Sequence, residues 1–187
     1  MRKHSGVTIV SVGFLGNLNA LVSDRYMLGL VKRKVRELVL MGGTLKRGYE
    51  FNLKKSGKGV AQNVIDKWPG KIVFSTYSIG AAIRSGGKMQ NAPAASPVRD
   101  AYWYFHKRRW GRLRASWDQT TVLYAVRGKR NYWSVNRKGG MQVDRNGRSQ
   151  WQAKLKRNHS HLRRRMSPGA LARLFDDLMM AKPGAKR

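Results

Sequence analysis

The segment His106-Lys-Arg-Arg-Trp-Gly-Arg-Leu-Arg114 sets five cations, Lys107, Arg108, Arg109, Arg112 and Arg114, around Trp110. Arginine forks hold phosphate oxygens bidentately, and a tryptophan beside them can stack on an unpaired base. The same chemistry recurs where Arg127, Lys129 and Arg130 precede Tyr132 and Trp133, and again at Arg137 and Lys138. A further cluster comprises Lys154, Lys156 and Arg157 with Arg163, Arg164 and Arg165. Almost no acids intervene to form the i,i+4 pairs that stabilise an ordinary solvated charged face.

Other residues invite chemistry less strongly. His159 and His161 are spaced as a ligand pair, but the adjoining Arg163-Arg-Arg165 opposes a cation, so no metal is expected. Gly13-x-x-Gly16 is too short for a phosphate loop and reads as a turn at a strand end. Asp118 suits the positive end of a helix dipole, and Glu50 and Asn52 read as turn residues.

The whole chain is as unbalanced as its clusters. Its 187 residues include 39 Lys plus Arg against 9 Asp plus Glu, a formal charge of +30. Small soluble domains usually carry a net charge of magnitude ~2–8, because a single-sign field repels itself. A polyanionic partner is therefore expected. Residues 101–187 hold 22 of the cations and only 4 of the acids, so the charge is densest in the second half.

Hydrophobic residues make up 41% of the chain, with 6 Trp, 7 Tyr and 5 Phe, which argues against disorder throughout. The length suits one folded domain, expected over residues 1–181, with a basic tail at 182–187. The absence of cysteine excludes disulfides, zinc–thiolate sites and thiol catalysis. No stretch approaches ~18 consecutive apolar residues, so no membrane partner is expected.

Several elements must position these groups. Val7–Gly13, Glu37–Gly43 and Lys71–Tyr77 read as buried strands, with helices over Asn17–Val22, Tyr26–Lys34 and Lys58–Trp68 between them. Continuous apolar strands alternating with helices predict an α/β fold with a parallel sheet. Helices are also predicted over Pro97–Arg109, over Trp117–Val126 with Ser116 as its cap, and over Ala170–Met180 after Ser167-Pro-Gly. Tyr132–Val135 and Met141–Asp144 flank Lys138-Gly-Gly140, and Asp144-Arg-Asn-Gly147 adds a second turn, so a small β-hairpin or meander is expected there.

Three ordered segments resemble the nucleoside hydrolases, which cleave the N-glycosidic bond of ribonucleosides. They are Val10-Ser-Val-Gly-Phe-Leu-Gly-Asn-Leu18, then Glu37-Leu-Val-Leu-Met-Gly-Gly43 with Tyr49-Glu-Phe-Asn52, then Ser116-Trp-Asp-Gln-Thr-Thr-Val-Leu-Tyr-Ala-Val126. Trp68-Pro-Gly-Lys-Ile-Val-Phe-Ser75 and the Gly-Gly turn after Trp133 are similar to that family as well. The resemblance implies a partial nucleoside-hydrolase-like parallel sheet. It also implies that Gly16 holds the place of a calcium-binding carbonyl, Asp118 that of a calcium-binding aspartate, and Glu50 and Asn52 those of ribose contacts.

The departures from the family are equally specific. Its N-terminal aspartate cluster is missing, Lys54-Lys-Ser-Gly-Lys58 stands where relatives carry acids, and Ser78 stands where many carry glutamate. Calcium takes 6–8 oxygen ligands, more than one carboxylate and one carbonyl supply. The expectation is a truncated, inactive descendant with no cofactor, serving as an rRNA-binding component of a ribosome, by analogy a divergent mitochondrial one. Val7–Leu15 would then be an apolar edge covered by a neighbouring ribosomal protein or a separately encoded N-terminal half. The alternatives are half of a split calcium-dependent nucleoside N-ribohydrolase, or a basic DNA-compacting protein.

Overall fold

The computed structural model describes residues 4–181. Five strands form the main sheet: β1 (Val7–Ser11), β2 (Val35–Met41), β4 (Lys71–Ser75), β7 (Trp133–Asn136) and β10 (His159–Arg164), in the order β1-β2-β4-β10-β7. The first four in that order run parallel, and β7 closes one edge antiparallel to β10. β1 forms the opposite edge.

The strands read as continuous apolar runs because both faces of the sheet are covered. Alternate side chains of β2 and β4 face opposite ways. Leu38, Leu40, Ile72 and Phe74 enter one core, packing with Leu18, Val22, Val31, Val64 and Ile65. These come from α1 (Gly16–Ser23), α2 (Arg25–Lys34) and α4 (Val60–Lys67). Val39 and Val73 enter the other core, against Ile79, Leu123, Leu171 and Phe175. Those come from α5 (Tyr77–Ala82), α7 (Trp117–Arg127) and α8 (Pro168–Met180). The α/β class and the parallel sheet expected from the sequence are thus present.

Helix ends follow local chemistry. Asp24 caps α2 by accepting from Met27 N at 2.7 Å, and Ser167 caps α8 by accepting from Ala170 N. Ser116 precedes α7 but does not cap it through its hydroxyl; its Oγ lies 2.7 Å from Ser85 Oγ instead. The helix expected to reach Arg109 ends earlier: α6 spans Pro97–Phe105, because Lys107 and Arg108 both take positive φ and turn the chain out of the helix.

Two readings of the second half need correction. Tyr132–Val135 does not pair with Met141–Asp144. The hairpin is formed by β8 (Gly140–Val143) and β9 (Arg148–Gln152) around the Asp144–Gly147 turn, and β9 also pairs with the short β3 (Gly48–Tyr49). β7, before the Gly-Gly turn, joins the main sheet. The basic stretch before α8 contains β10, an inner strand, although it reads His-Ser-His-Leu-Arg-Arg. The buried His159 and His161 are accommodated there by bonds to Met141 N and Asn136 Nδ2 from other strands. The tail expected at 182–187 lies outside the described residues.

Candidate functional site

A cleft of about 480 Å³ opens beyond the C-terminal ends of β1, β2 and β4, where ligands bind in open α/β sheets. Val12 follows β1, Met41 ends β2 and Tyr77 starts α5 just beyond β4; all three line the cleft. Glu50, Phe51 and Asn52 enter from the start of α3 (Phe51–Lys55), and Trp117, Asp118 and Gln119 from the start of α7. Arg114 and Ala115, which form β6, complete the lining. Glu50, Asn52 and Asp118, separated by up to 68 positions in the chain, are therefore brought to one cavity.

The groups are not equally available. Glu50 caps α3: Oε1 accepts from Asn52 N at 2.9 Å and Oε2 from Leu53 N at 3.1 Å. Burial raises its pKa, opposed by those amides. The Asn52 amide turns inward, where Nδ2 donates to the Met41 carbonyl at 3.3 Å. Asp118 is open to the cleft; partial desolvation raises its pKa, opposed by the nearby Arg114 guanidinium. The aromatic wall is fixed by Tyr77 and Trp117, whose rings stack with centroids 5.7 Å apart while Trp117 Nε1 donates to the Tyr77 carbonyl. Gly80 permits this approach, since a Cβ there would overlap the Trp117 backbone.

This donor set does not fit the calcium ion that the sequence resemblance implies. Gly16 starts α1 and does not line the cleft, both Glu50 oxygens are engaged by amides, and a guanidinium shares the cavity with Asp118. No group of three His, Cys, Asp or Glu residues among the described residues could hold a metal.

His159 and His161 are internal. His159 Nδ1 accepts from Met141 N at 3.2 Å, and its ring meets Phe74 edge-on. His161 Nε2 accepts from Asn136 Nδ2 at 2.9 Å, its Nδ1 donates to the Leu162 carbonyl, and its ring meets Trp151 edge-on. Burial lowers the pKa of both, that of His159 to about 4.

The basic clusters are not gathered on one face. Lys107, Arg108, Arg109, Trp110, Arg112 and Arg114 lie between α6 and α7; Arg127, Lys129 and Arg130 follow the end of α7. Arg163 and Arg164 end β10, where Arg165 follows, while Arg137, Lys138, Lys154, Lys156 and Arg157 lie towards the start of that strand. The strand itself separates those two groups by roughly 20 Å at ~3.3 Å per residue. Of these seventeen residues, all but Trp110, Arg127 and Arg157 are exposed. Trp110 is held against Trp103, with centroids 4.6 Å apart, and under Arg99; Arg114 lies 3.8 Å over the Phe105 ring. Arg157 is tied inward to Asp66 at 2.7 Å and to the Ile65 carbonyl. Sequence reasoning missed Tyr77, Phe51 and Trp117 as a cleft wall, although Trp117 and Phe51 stand beside the acids it singled out.

The sequence matches no protein-family profile and no curated protein. Among solved structures the chain is similar to a plant nucleoside hydrolase, with a TM-score of 0.68 and 18% identity over 97% of this chain and 64% of that one. A purine-preferring ribonucleoside hydrolase from Gardnerella vaginalis gives a TM-score of 0.67 at 15% identity over 96% of this chain and 61% of that one. The inosine-uridine preferring nucleoside hydrolase from Bacillus anthracis gives 0.55 at 15% identity, over 94% of this chain and 59% of that one. The fold is therefore nucleoside-hydrolase-like. The chain spans about six-tenths of the length of these structures. No helix among the described residues is long and apolar enough to cross a membrane.

Proposed function

We propose that this protein is a structural, rRNA-binding component of a ribosome, specifically a mitochondrial one, built on the nucleoside-hydrolase fold and taking no part in catalysis. The observation that carries the reading is the excess of uncompensated cations. Against 39 basic residues, three ion pairs form among the described residues, and one of those joins Arg157 to Asp66. Phosphates of a folded RNA would neutralise the remainder, and cations at both ends of β10 suit a body enclosed by RNA better than one reading a single groove. The unfit donor set of the cleft supports the non-catalytic part, as does Arg114 beside Asp118.

In this reading β1 packs against a neighbouring protein. It is an outer strand, and Val10, Val12 and Phe14 are exposed along and beyond it. Gradient sedimentation of native lysate tests the proposal. The protein should travel with a large particle and move to the top of the gradient after ribonuclease treatment. Failure to co-migrate with any large RNA particle overturns it.

A second reading has one observation in its favour: Glu50, Asn52 and Asp118 line one cleft. In it the chain is half of a nucleoside N-ribohydrolase whose remaining acids come from another polypeptide. Calcium-dependent ribose release by the protein with its native partners, abolished by Asp118→Ala, would establish this reading and end the structural one.

A further inference from the structure

A second cavity, of about 250 Å³, lies at the opposite end of the sheet from the cleft. It is lined by Lys71, Arg137, Arg157, Asn158, His159 and Ser160. Lys71 opens β4 and His159 opens β10, parallel neighbours, while Arg137 follows the last residue of the antiparallel β7. The three strands thus deliver the lining by register alone. Its volume falls below the ~300–1,000 Å³ of pockets for drug-sized molecules, so it suits a small group.

The lining is one of donors. Lys71 and the two arginines are cations, and no carboxylate lines the cavity. Lys71 Nζ is anchored by Glu37 Oε2 at 2.8 Å, and one Arg157 nitrogen by Asp66 and the Ile65 carbonyl. Lys71 is thereby fixed with further N–H groups to offer, while the Arg157 guanidinium is turned to the end of α4. Arg137 is exposed and has no ion-pair partner among the described residues. His159 accepts the Met141 amide at Nδ1, which leaves the ring proton on Nε2. Ser160 is 1% exposed, and its Oγ is buried without a hydrogen-bond partner. A buried hydroxyl left unsatisfied is costly, and such orphans mark places where another group completes the bonding.

We propose that this cavity is a phosphate-binding site, in which the Lys71 and Arg137 cations and the Ser160 hydroxyl hold the oxygens of one phosphate group. A tetrahedral oxyanion has enough acceptor positions for several donors converging from different strands, and charge-assisted bonds from guanidinium are the strong ones. The site differs in place and chemistry from the cleft at the other end of the sheet. It goes beyond the RNA-binding reading by naming a pocket, and it stands whether the phosphate is free or belongs to an RNA backbone.

The test uses the full chain and three single variants. Arg137→Gln and Ser160→Ala alter the cavity, and Lys46→Gln alters an exposed cation outside it and outside the basic clusters. Titration calorimetry with inorganic phosphate at constant ionic strength should show binding by the wild type and by Lys46→Gln. Arg137→Gln should weaken it about tenfold and Ser160→Ala about fivefold, the loss expected for a charge-assisted and an ordinary hydrogen bond. Thermal melts of unliganded Ser160→Ala confirm that it folds. A structured RNA hairpin is titrated in parallel. Loss of both phosphate and hairpin affinity in the two cavity variants supports the site and identifies a backbone phosphate. Loss of phosphate affinity alone supports a site for free phosphate. No phosphate binding by the wild type, or equal affinity in all four proteins, overturns the site. Hairpin binding by the wild type separately reports on the RNA-binding reading.

Discussion

The carboxylate of Asp176, in the last helix, accepts a hydrogen bond of 2.6 Å from the backbone amide of Gly86, 90 residues earlier. This bond fastens α8 across the loop that follows the short strand β5 (Arg84–Ser85), beside the buried Tyr102 of α6. Burial raises the Asp176 pKa, with the Gly86 amide opposing, so the contact joins a partly desolvated acceptor to a donor with no strand partner.

Asp176→Ala should lower stability by about 1–3 kcal/mol, the range for leaving a buried donor unsatisfied. Asp176→Asn, which keeps an acceptor oxygen, should lose less. Gly86→Ala should be the most damaging of the three, since φ is +102° and a Cβ would overlap the Tyr102 ring. Urea unfolding of the three variants gives the ranking; a mild Gly86→Ala would contradict the packing described.

Stability should fall on acidification through the histidines. The His159 pKa drops to about 4 on folding, below its ordinary 6.5, chiefly because burial disfavours the charged ring. Between pH 6.5 and 4 the unfolded chain then binds more protons than the folded one. Its contribution is intact above pH 6.5 and lost as pH falls towards 4, by up to about 3 kcal/mol. Glu50, Asp118 and Asp176, with raised values, act in the opposite sense. Unfolding curves across this window should be steeper in pH for the wild type than for His159→Gln.

Glu50 caps α3 at the wall of the cleft. Glu50→Ala should cost about 0.5–2 kcal/mol, as the loss of other N-caps does, while Glu50→Gln should recover part of it. Thermal melts measure both. Equal stability of Glu50→Ala and wild type would free the carboxylate for a ligand and weaken the non-catalytic reading.

RNA affinity should depend steeply on salt. If about ten cations contact phosphate in a duplex, log affinity against log salt has a slope near −9, and each contact accounts for about 0.9. Replacing Arg163, Arg164 and Arg165 with glutamine should make the slope less negative by about 3. Replacing Arg157 alone should chiefly lower stability, because its guanidinium is bonded to Asp66 and the Ile65 carbonyl. Filter binding at several salt concentrations, with melts alongside, separates the two effects.

The amino-acid sequence by itself determined the α/β class, the strands at Val7, Glu37 and Lys71, and the principal helices. Those features rest on local apolar pattern and turn chemistry, which read burial directly. It also determined the formal charge of +30, which no fold alters. Tertiary structure alone decided that His159–Arg164 is an inner strand. Its side chains look solvent-facing until Met141 N and Asn136 Nδ2 supply their bonds from other strands. It also decided that β7 leaves its neighbour across the Gly-Gly turn to pair with β10, and that Glu50, Asn52 and Asp118 meet in one cleft while Lys71, Arg137 and Ser160 meet at the far end. A local pattern records whether a side chain is buried; which distant group it meets is fixed only when the strands take their register.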